Sequence, residues 1–258
     1  MMRNIYPILK KEMRSYFNSS IAYVVIAAFL IISGWFFYTS MAFFNMISFQ
    51  AMQNPYLRSQ LNIMEMVVRP LFSGNLTVLL VILLPAVTMR LFAEEKKSGT
   101  IELLLTYPVS DFAVLMGKYL SSLGVFIAML ILTGLYPLVI YWLSQPEWGV
   151  LVSVYLGLLL MGGSFLALGL FASSLTENQI VAFVIGIAAS LFFWIIGWAS
   201  TFTGGFLKEL LLYLSVTHHF NNFRKGVIDT ADLAFYVIFI VFFLFCTLRV
   251  LESKRWRG

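Results

Sequence analysis

The chain has 258 residues, of which 60% are hydrophobic, 17% aromatic and 11% charged, and its mean hydropathy is +0.90. Soluble domains are roughly half apolar and a quarter charged, so this composition excludes a soluble main body and indicates one integral membrane domain. The net charge of +5 comes from basic residues at the ends of apolar runs, which indicates membrane topology rather than nucleic-acid binding. The one cysteine, Cys246, excludes an intrachain disulfide.

Residues 3–17 predict an amphipathic helix at the membrane surface. Lys10, Lys11 and Arg14 lie off an apolar face that would contact lipid. The same residues also fit a basic flank that only fixes the orientation of the first span, and both readings remain open. The apolar face consists of Ile5, Ile8, Leu9, Met13, Tyr16 and Phe17.

Six apolar runs are long enough to cross a bilayer, which takes about 20 helical residues. The first run is too long for a cleaved signal peptide and is therefore predicted to be a retained span. Pro85 predicts a kink in the second, and Ser110 with Asp111 predicts the helical N-terminus of the third. The predicted spans are residues 21–44, 71–92, 110–143, 150–173, 179–201 and 233–251.

Two connections carry further structure in this prediction. A short surface helix precedes the second span, with Glu65 placed four residues before Arg69 to form an ion pair. Two short helices follow the break at Gly204 and Gly205. They are predicted to lie on the membrane surface or to re-enter the membrane. The third span is longer than the hydrocarbon core is thick, and Lys118 is expected to mark where its helix leaves lipid.

The distribution of basic residues predicts that both termini are cytoplasmic. Of the 17 Lys and Arg residues, five lie on outer segments if the N-terminus is inside, and the others lie on inner segments. This asymmetry satisfies the positive-inside rule with six spans. The five outer residues are Arg58, Arg69, Lys208, Arg224 and Lys225.

The sequence does not predict an enzyme. A Walker A motif and an HExxH motif are absent, and no directly bound cofactor or metal is expected. Ser164 with His218 and His219 would suggest an intramembrane serine protease, but the serine is expected near mid-span and the histidines in an outer loop, too far apart for proton transfer. The two histidines are interpreted as interfacial polar side chains. The spans contain few ionisable residues, so energy is expected to come from a partner.

Two stretches carry a resemblance to a known family. Arg90–Leu120, RLFAEEKKSGTIELLLTYPVSDFAVLMGKYL, resembles the first cytoplasmic loop of ABC-2 type membrane subunits of ATP-binding-cassette transporters. His219–Val237, HFNNFRKGVIDTADLAFYV, resembles the loop before the last span in a subset of these proteins. That subset includes the gliding-motility permease subunit (GldF-like) and the permease associated with copper-site assembly of nitrous oxide reductase.

The resemblance implies an all-α bundle with an interfacial helix, six spans, a cytoplasmic coupling helix and two short external helices, in a single domain of residues 1–258. It also implies a second permease subunit, as a homodimer or heterodimer, and separate ATPase subunits that hold ATP and magnesium. A gliding-type protein would have a partner with a large periplasmic domain. The predicted function is that of a permease; a mechanical or assembly subunit that moves no solute, or a permease for copper-site maturation, is the alternative.

Within this resemblance, residues 99–106 are predicted to form the coupling helix that docks the ATPase. Thr100 would cap it, the leucines would supply an apolar contact, and Pro108 would end it. The charged residues before it would contact the rim of the partner and set orientation more than affinity. An ordinary solvated loop is the alternative reading. The predicted docking residues are Glu94, Glu95, Lys96, Lys97, Gly99, Thr100, Glu102, Leu103, Leu104, Leu105 and Pro108.

Overall fold

The structure is a computed structural model that describes residues 5–53, 61–100, 109–144 and 146–255, and these residues contain helices and connections but no β-strand. Six of the described helices are long and apolar enough to cross a membrane, which confirms the predicted all-α bundle. The six spans are Ser20–Met52, Leu76–Lys97, Asp111–Leu143, Trp148–Leu175, Gln179–Phe202 and Thr230–Ser253.

Two of these spans consist of two consecutive helices, α3–α4 in the second and α5–α6 in the third. The described α-helices are α1 (Ile5–Asn18), α2 (Ser20–Gln53), α3 (Leu76–Thr88), α4 (Arg90–Lys97), α5 (Asp111–Thr133), α6 (Leu135–Leu143), α7 (Trp148–Leu175), α8 (Gln179–Ala199), α9 (Gly205–Leu214), α10 (Val216–Arg224) and α11 (Thr230–Arg255). Two π-helical turns, Met64–Val68 and Leu71–Asn75, precede α3, and a 3₁₀ turn, Ser200–Phe202, follows α8.

The fourth span, α7, lies in the middle of the bundle. All ten residues of 161–170 are buried, and α7 packs against α3, α5, α8, α10 and α11. Glycine permits this crowding: a Cβ on Gly162 would lie 2.2 Å from Phe126 Cε1, and one on Gly157 would lie 2.7 Å from Phe223 Cβ. Small residues in membrane helices allow such close approach, and here they serve packing within one chain.

The first, fifth and sixth spans form the periphery and expose large apolar side chains. Trp35, Phe192 and Phe242 are each more than half exposed. In a chain of this hydropathy such surfaces face lipid or another membrane subunit, because water would not solvate them.

The element boundaries differ most from the prediction in three places. α2 continues to Gln53, nine residues beyond the predicted end, because Asn45 and Gln50 are tolerated on its exposed side. The second span begins as a regular helix at Leu76, since residues 71–75 form a π-turn. Its helix then runs on to Lys97, so the charged residues 94–97 extend the span rather than forming a loop.

Three local signals read from the sequence are present in the structure, although the predicted surface helix before the second span is a π-turn with Met64, Val67 and Val68 buried. The Ser110 side chain accepts a hydrogen bond from the Ala113 amide at the start of α5. Arg69 and Glu65 form the expected i,i+4 ion pair. Two short helices, α9 and α10, connect the fifth and sixth spans where they were predicted.

The N-terminal helix α1 packs along α5, whereas its apolar face was expected to contact lipid. Ile8 fits against Gly117, where an added Cβ would lie 2.7 Å from Ile8 Cγ2, and Met13 fits against Gly124. Gly117 and Gly124 lie on the same face of α5, about two helical turns apart. Because glycine has no side chain, they leave a shallow groove that a neighbouring helix can fill. α1 is therefore attached to the third span by protein contacts, while Lys10, Lys11 and Arg14 remain exposed.

Candidate functional site

The regular backbone hydrogen bonding of the second span is interrupted just before the predicted docking segment. Pro85 lies inside α3 and lacks an amide hydrogen, so the helix loses one backbone bond there, and the regular pattern is interrupted at Met89. The buried Ser173 hydroxyl of α7 forms hydrogen bonds with the backbone at this interruption. It donates to the Met89 carbonyl at 2.8 Å and accepts from the Phe92 and Ala93 amides, each at 3.1 Å.

A buried charge cluster follows on α4 and joins three elements; we call Glu12, Glu95 and Lys118 the Lys118 charge cluster. Lys118 on α5 is 1% exposed, and its Nζ lies 2.8 Å from Glu95 Oε1 and 3.0 Å from Glu12 Oε1. Lys11 lies farther off, 3.6 Å from Glu95 and 3.7 Å from Glu12, and is mostly exposed. The cluster therefore links α1, α4 and α5 through a single shared ammonium group.

The surroundings explain why a lysine is tolerated here. A buried ammonium is costly unless carboxylates compensate it, and Lys118 has two. Its Nζ also lies 5.3 Å from the centre of the Phe92 ring, within the range of a cation–π contact. Lys118 was expected to mark where the helix leaves lipid; the structure instead buries it among protein groups.

Next to this cluster, Tyr16 anchors the end of α1 to the second span. Its hydroxyl donates to the Val87 carbonyl at 2.8 Å, and the Arg90 guanidinium lies 4.6 Å from the centre of its ring. Burial raises the pKa of the Tyr16 hydroxyl. The Arg90 charge lowers this pKa, and the Glu12 carboxylate raises it further. The phenol therefore remains a neutral donor at any physiological pH.

The predicted docking residues fall into three groups. Glu94, Lys97, Gly99 and Thr100 are exposed. Glu95 and Lys96 point into the protein. Glu95 forms an ion pair with Lys118. Lys96 is 7% exposed and donates to the Ser174 carbonyl of α7. The remainder lie outside the described residues: Glu102, Leu103, Leu104, Leu105 and Pro108.

Gly99 ends the second-span helix. Its φ is +69°, in the left-handed region that glycine adopts without strain, and its amide bonds to the Lys96 carbonyl. The Thr100 hydroxyl bonds back to the Glu95 carbonyl at 3.3 Å and to the Ser98 hydroxyl at 2.8 Å. The chain therefore turns sharply after Lys97, and the turn is fixed to α4 by its own hydrogen bonds.

A groove beside this turn includes residues that sequence reasoning did not assign to the site. It has a volume of about 510 Å³ and is lined by Lys97 and by Glu177, Asn178, Gln179 and Ile180 at the connection between the fourth and fifth spans. The positive-inside analysis placed both connections on one side of the membrane, but only packing of α4 against α7 and α8 brings them together.

The alternative chemistries gain no support from the contacts. The Ser164 hydroxyl bonds to the Leu160 carbonyl of its own helix. His219 bonds to Asp232 and to the Tyr213 carbonyl. Within the described ranges, no group of three His, Cys, Asp or Glu side chains could hold a metal ion.

Comparison with known proteins identifies the family. A family model described as ABC-2 family transporter protein matches residues 6–255. No curated individual protein matches the chain. The match covers all six spans, the Lys118 charge cluster and the predicted docking segment. The chain therefore belongs to the ABC-2 family of transporter proteins, as a membrane-spanning component.

Proposed function

We propose that this chain is the permease subunit of an ABC-2 transporter and that a separate ATPase docks on residues 94–106. The family match supports a transporter membrane component. The observation that carries the docking proposal is the Lys118 charge cluster, because it fastens the segment leading into the docking residues to the third span and to α1. A rigid connection of this kind can transmit a push, whereas a solvated loop would absorb it.

The contact with the ATPase divides between apolar and charged residues in this proposal. Leu103, Leu104 and Leu105 supply the apolar anchor, since burial of apolar surface drives most protein–protein association. Glu94 and Lys97 are exposed and act at the rim, where charges set orientation and encounter rate. Glu95 and Lys96 have intramolecular partners, so their role is to hold the docking segment in place. The groove at Lys97 and 177–180 extends the same surface.

Coupling then follows from the geometry of the connected helices. ATP binding closes the partner and favours one of two permease conformations, by an amount equal to the difference in affinity for them. The push enters through the docking segment, passes from Glu95 to Lys118, and moves α5 as a unit with α1. ATP and magnesium are held by the partner, and the permease itself supplies no catalytic residue.

In this proposal the chain lies in a bacterial inner membrane with both termini cytoplasmic, as the basic residues indicate. It works as a homodimer or heterodimer with a second permease subunit, and the exposed apolar faces of spans one, five and six offer lipid and subunit contacts. The narrower assignment to gliding motility, with a periplasmic-domain partner, is a hypothesis supported by the resemblance of residues 219–237 alone. A non-transporting mechanical subunit and a copper-maturation permease rest on that same stretch.

Co-purification tests the docking surface. Leu104→Asp should abolish co-purification with the ATPase while membrane insertion and thermal stability stay unchanged. The matched control is Leu143→Asp, the same change at the exposed opposite end of the third span, which should leave ATPase binding intact. Normal recovery of the ATPase with Leu104→Asp would show that the docking assignment is wrong.

Thiol labelling tests the side of the membrane. With Cys246 replaced by serine, a cysteine at exposed Lys97 should react with an impermeant reagent only after cells are opened. A cysteine at exposed Lys208 on α9 is the control and should react in intact cells. Labelling of position 97 from outside would invert the topology and remove the basis for ATPase docking.

A further inference from the structure

A second buried polar cluster lies at the opposite end of the bundle, where α9 and α10 meet the start of α11. His219 Nδ1 lies 2.7 Å from Asp232 Oδ1, and His219 Nε2 lies 3.0 Å from the Tyr213 carbonyl oxygen. Asn222 Nδ2 donates to Asp232 Oδ2 at 2.8 Å. His219 is 6% exposed and Asp232 is 5% exposed, so these bonds are made away from water.

The partners of His219 fix how many protons the pair holds. Both atoms that face the ring, a carboxylate oxygen and a backbone carbonyl oxygen, are acceptors, and a neutral imidazole has only one N–H to offer. With His219 neutral and Asp232 ionised, one ring lone pair would face an acceptor oxygen at hydrogen-bond distance. Both contacts are satisfied only when the pair holds two protons, most simply as an imidazolium beside a carboxylate.

Other titratable groups near the His219 ring do not change the number of protons that its two contacts require. His218 on α10 has its ring centre 5.6 Å away, and burial, followed by the charge of His219, lowers the pKa of His218. Tyr213 on α9 meets the ring edge-on, and Tyr236 on α11 donates its hydroxyl to the Val216 carbonyl. The packed faces of α7, α8 and the π-turn at 71–75 carry no acidic or basic residue.

The cluster adds a polar contact between α9, α10 and α11, in addition to the packing of α10 on α7 and α8 and the hydrogen bond from Tyr236 to the Val216 carbonyl. No residue of α9 is fully buried, and His219 binds the carbonyl of Tyr213 in its last turn. Asp232 is in the first turn of α11, and the ring of His219 stacks on Phe235 of that helix at 3.9 Å. A single imidazole thus ties the last turn of α9 and the middle of α10 to the beginning of the sixth span.

We propose that His219 and Asp232 form a proton-dependent clasp that seats α9 and α10 on the sixth span. The clasp is closed while the pair holds two protons. Loss of one leaves a lone pair against an acceptor and an uncompensated buried carboxylate, both of which favour opening. Because the closed state binds the additional proton, opening becomes more favourable as pH rises.

The substitution Asp232→Asn tests whether the clasp needs the additional proton. An asparagine amide can donate to Nδ1 of a neutral imidazole and accept from Asn222, while Nε2–H still donates to the Tyr213 carbonyl. Every hydrogen bond is then satisfied without a second proton. The variant should keep the clasp closed and remove its pH dependence, whereas His219→Phe should open it at every pH.

Nuclear magnetic resonance can count the protons directly, since the chain has only two histidines. His218→Gln leaves His219 as the one imidazole, and labelled ¹⁵N-histidine and ¹³C-aspartate report on the ring and the carboxyl groups. At pH 7 we expect two protons shared by His219 and Asp232, and one proton on His219 in the Asp232→Asn variant. A single proton on the wild-type pair at pH 7 would overturn the proposal.

Amide hydrogen exchange of residues 213–224 tests the conformational consequence. The ratio of wild-type to Asp232→Asn exchange rates, taken at each pH, cancels the intrinsic effect of hydroxide. This ratio should increase with pH by up to about tenfold per unit, as one linked proton requires. A ratio that stays constant from pH 6 to pH 9 would contradict a proton-dependent clasp. Both experiments use the purified chain and need no ATPase, so they stand apart from the docking tests.

Discussion

Lys118 Nζ lies 2.8 Å from Glu95 Oε1, and this ion pair fastens the end of the second span to the third. Glu12 of α1 shares the same ammonium at 3.0 Å. Two helices that are close in the chain, α4 and α5, and the distant α1 therefore meet at one buried charge, next to the segment proposed to receive the ATPase.

Lys118→Met should lower the free energy of unfolding by about 3–5 kcal/mol, because it leaves two carboxylates buried without their cation. Chemical unfolding in detergent, followed by tryptophan fluorescence, measures the change. Lys208→Met on the exposed α9 is the matched control and should change stability by less than about 0.5 kcal/mol. Adding Glu12→Gln and Glu95→Gln to Lys118→Met should recover part of the loss; no recovery would mean that the charges are not coupled.

Ser173→Ala should lower stability by about 1–3 kcal/mol, since the Phe92 and Ala93 amides lose their buried acceptor. Exchange of those two amides with solvent should accelerate. Ser174→Ala is the neighbouring control, because the Ser174 hydroxyl only bonds back to the Phe171 carbonyl of its own helix. Equal effects of the two substitutions would show that Ser173 does not support the break at Met89.

Gly162→Ala should destabilise the bundle by about 1–3 kcal/mol through overpacking. The added Cβ would lie 2.2 Å from Cε1 of the buried Phe126 ring, so the ring or the two helices must shift. Gly149→Ala, near the start of the same helix, meets no atom within 4 Å and should stabilise by up to about 1 kcal/mol. Thermal unfolding of the two variants in the same detergent gives the comparison, and a neutral Gly162→Ala would contradict the tight crossing.

Tyr16→Phe should reduce the sensitivity of the protein to alkali. Burial raises the pKa of Tyr16, so its stabilising contribution is complete below the unfolded value of about 10 and declines above it. At neutral pH the variant should lose about 1 kcal/mol with the hydrogen bond to Val87. Above pH 10 its stability should fall less steeply than that of the wild type; parallel pH curves would show that Tyr16 ionises as freely as in the unfolded chain.

The alternation of apolar runs and turn residues was enough to predict six spans, the start of α5 at Ser110 and the two short helices before the sixth span. These features depend on local chemistry: the length of an apolar run must match the hydrocarbon core, and a serine at a helix start satisfies amides three residues away. The resemblance of residues 90–120 to ABC-2 loops also depends on a contiguous stretch. Each of these features could therefore be predicted without knowing which helices contact one another.

Only the tertiary structure decided which polar groups meet inside the bundle. Glu12 and Lys118 are 106 residues apart in the chain, and Ser173 is 81 residues from the amide of Phe92 that it serves. Hydropathy placed His219 in an outer loop but could not place Asp232 against its ring. Helical periodicity tells which residues share a face, but the pairing of faces is fixed by side-chain fit over the whole bundle, where Gly117, Gly124 and Gly162 admit their neighbours.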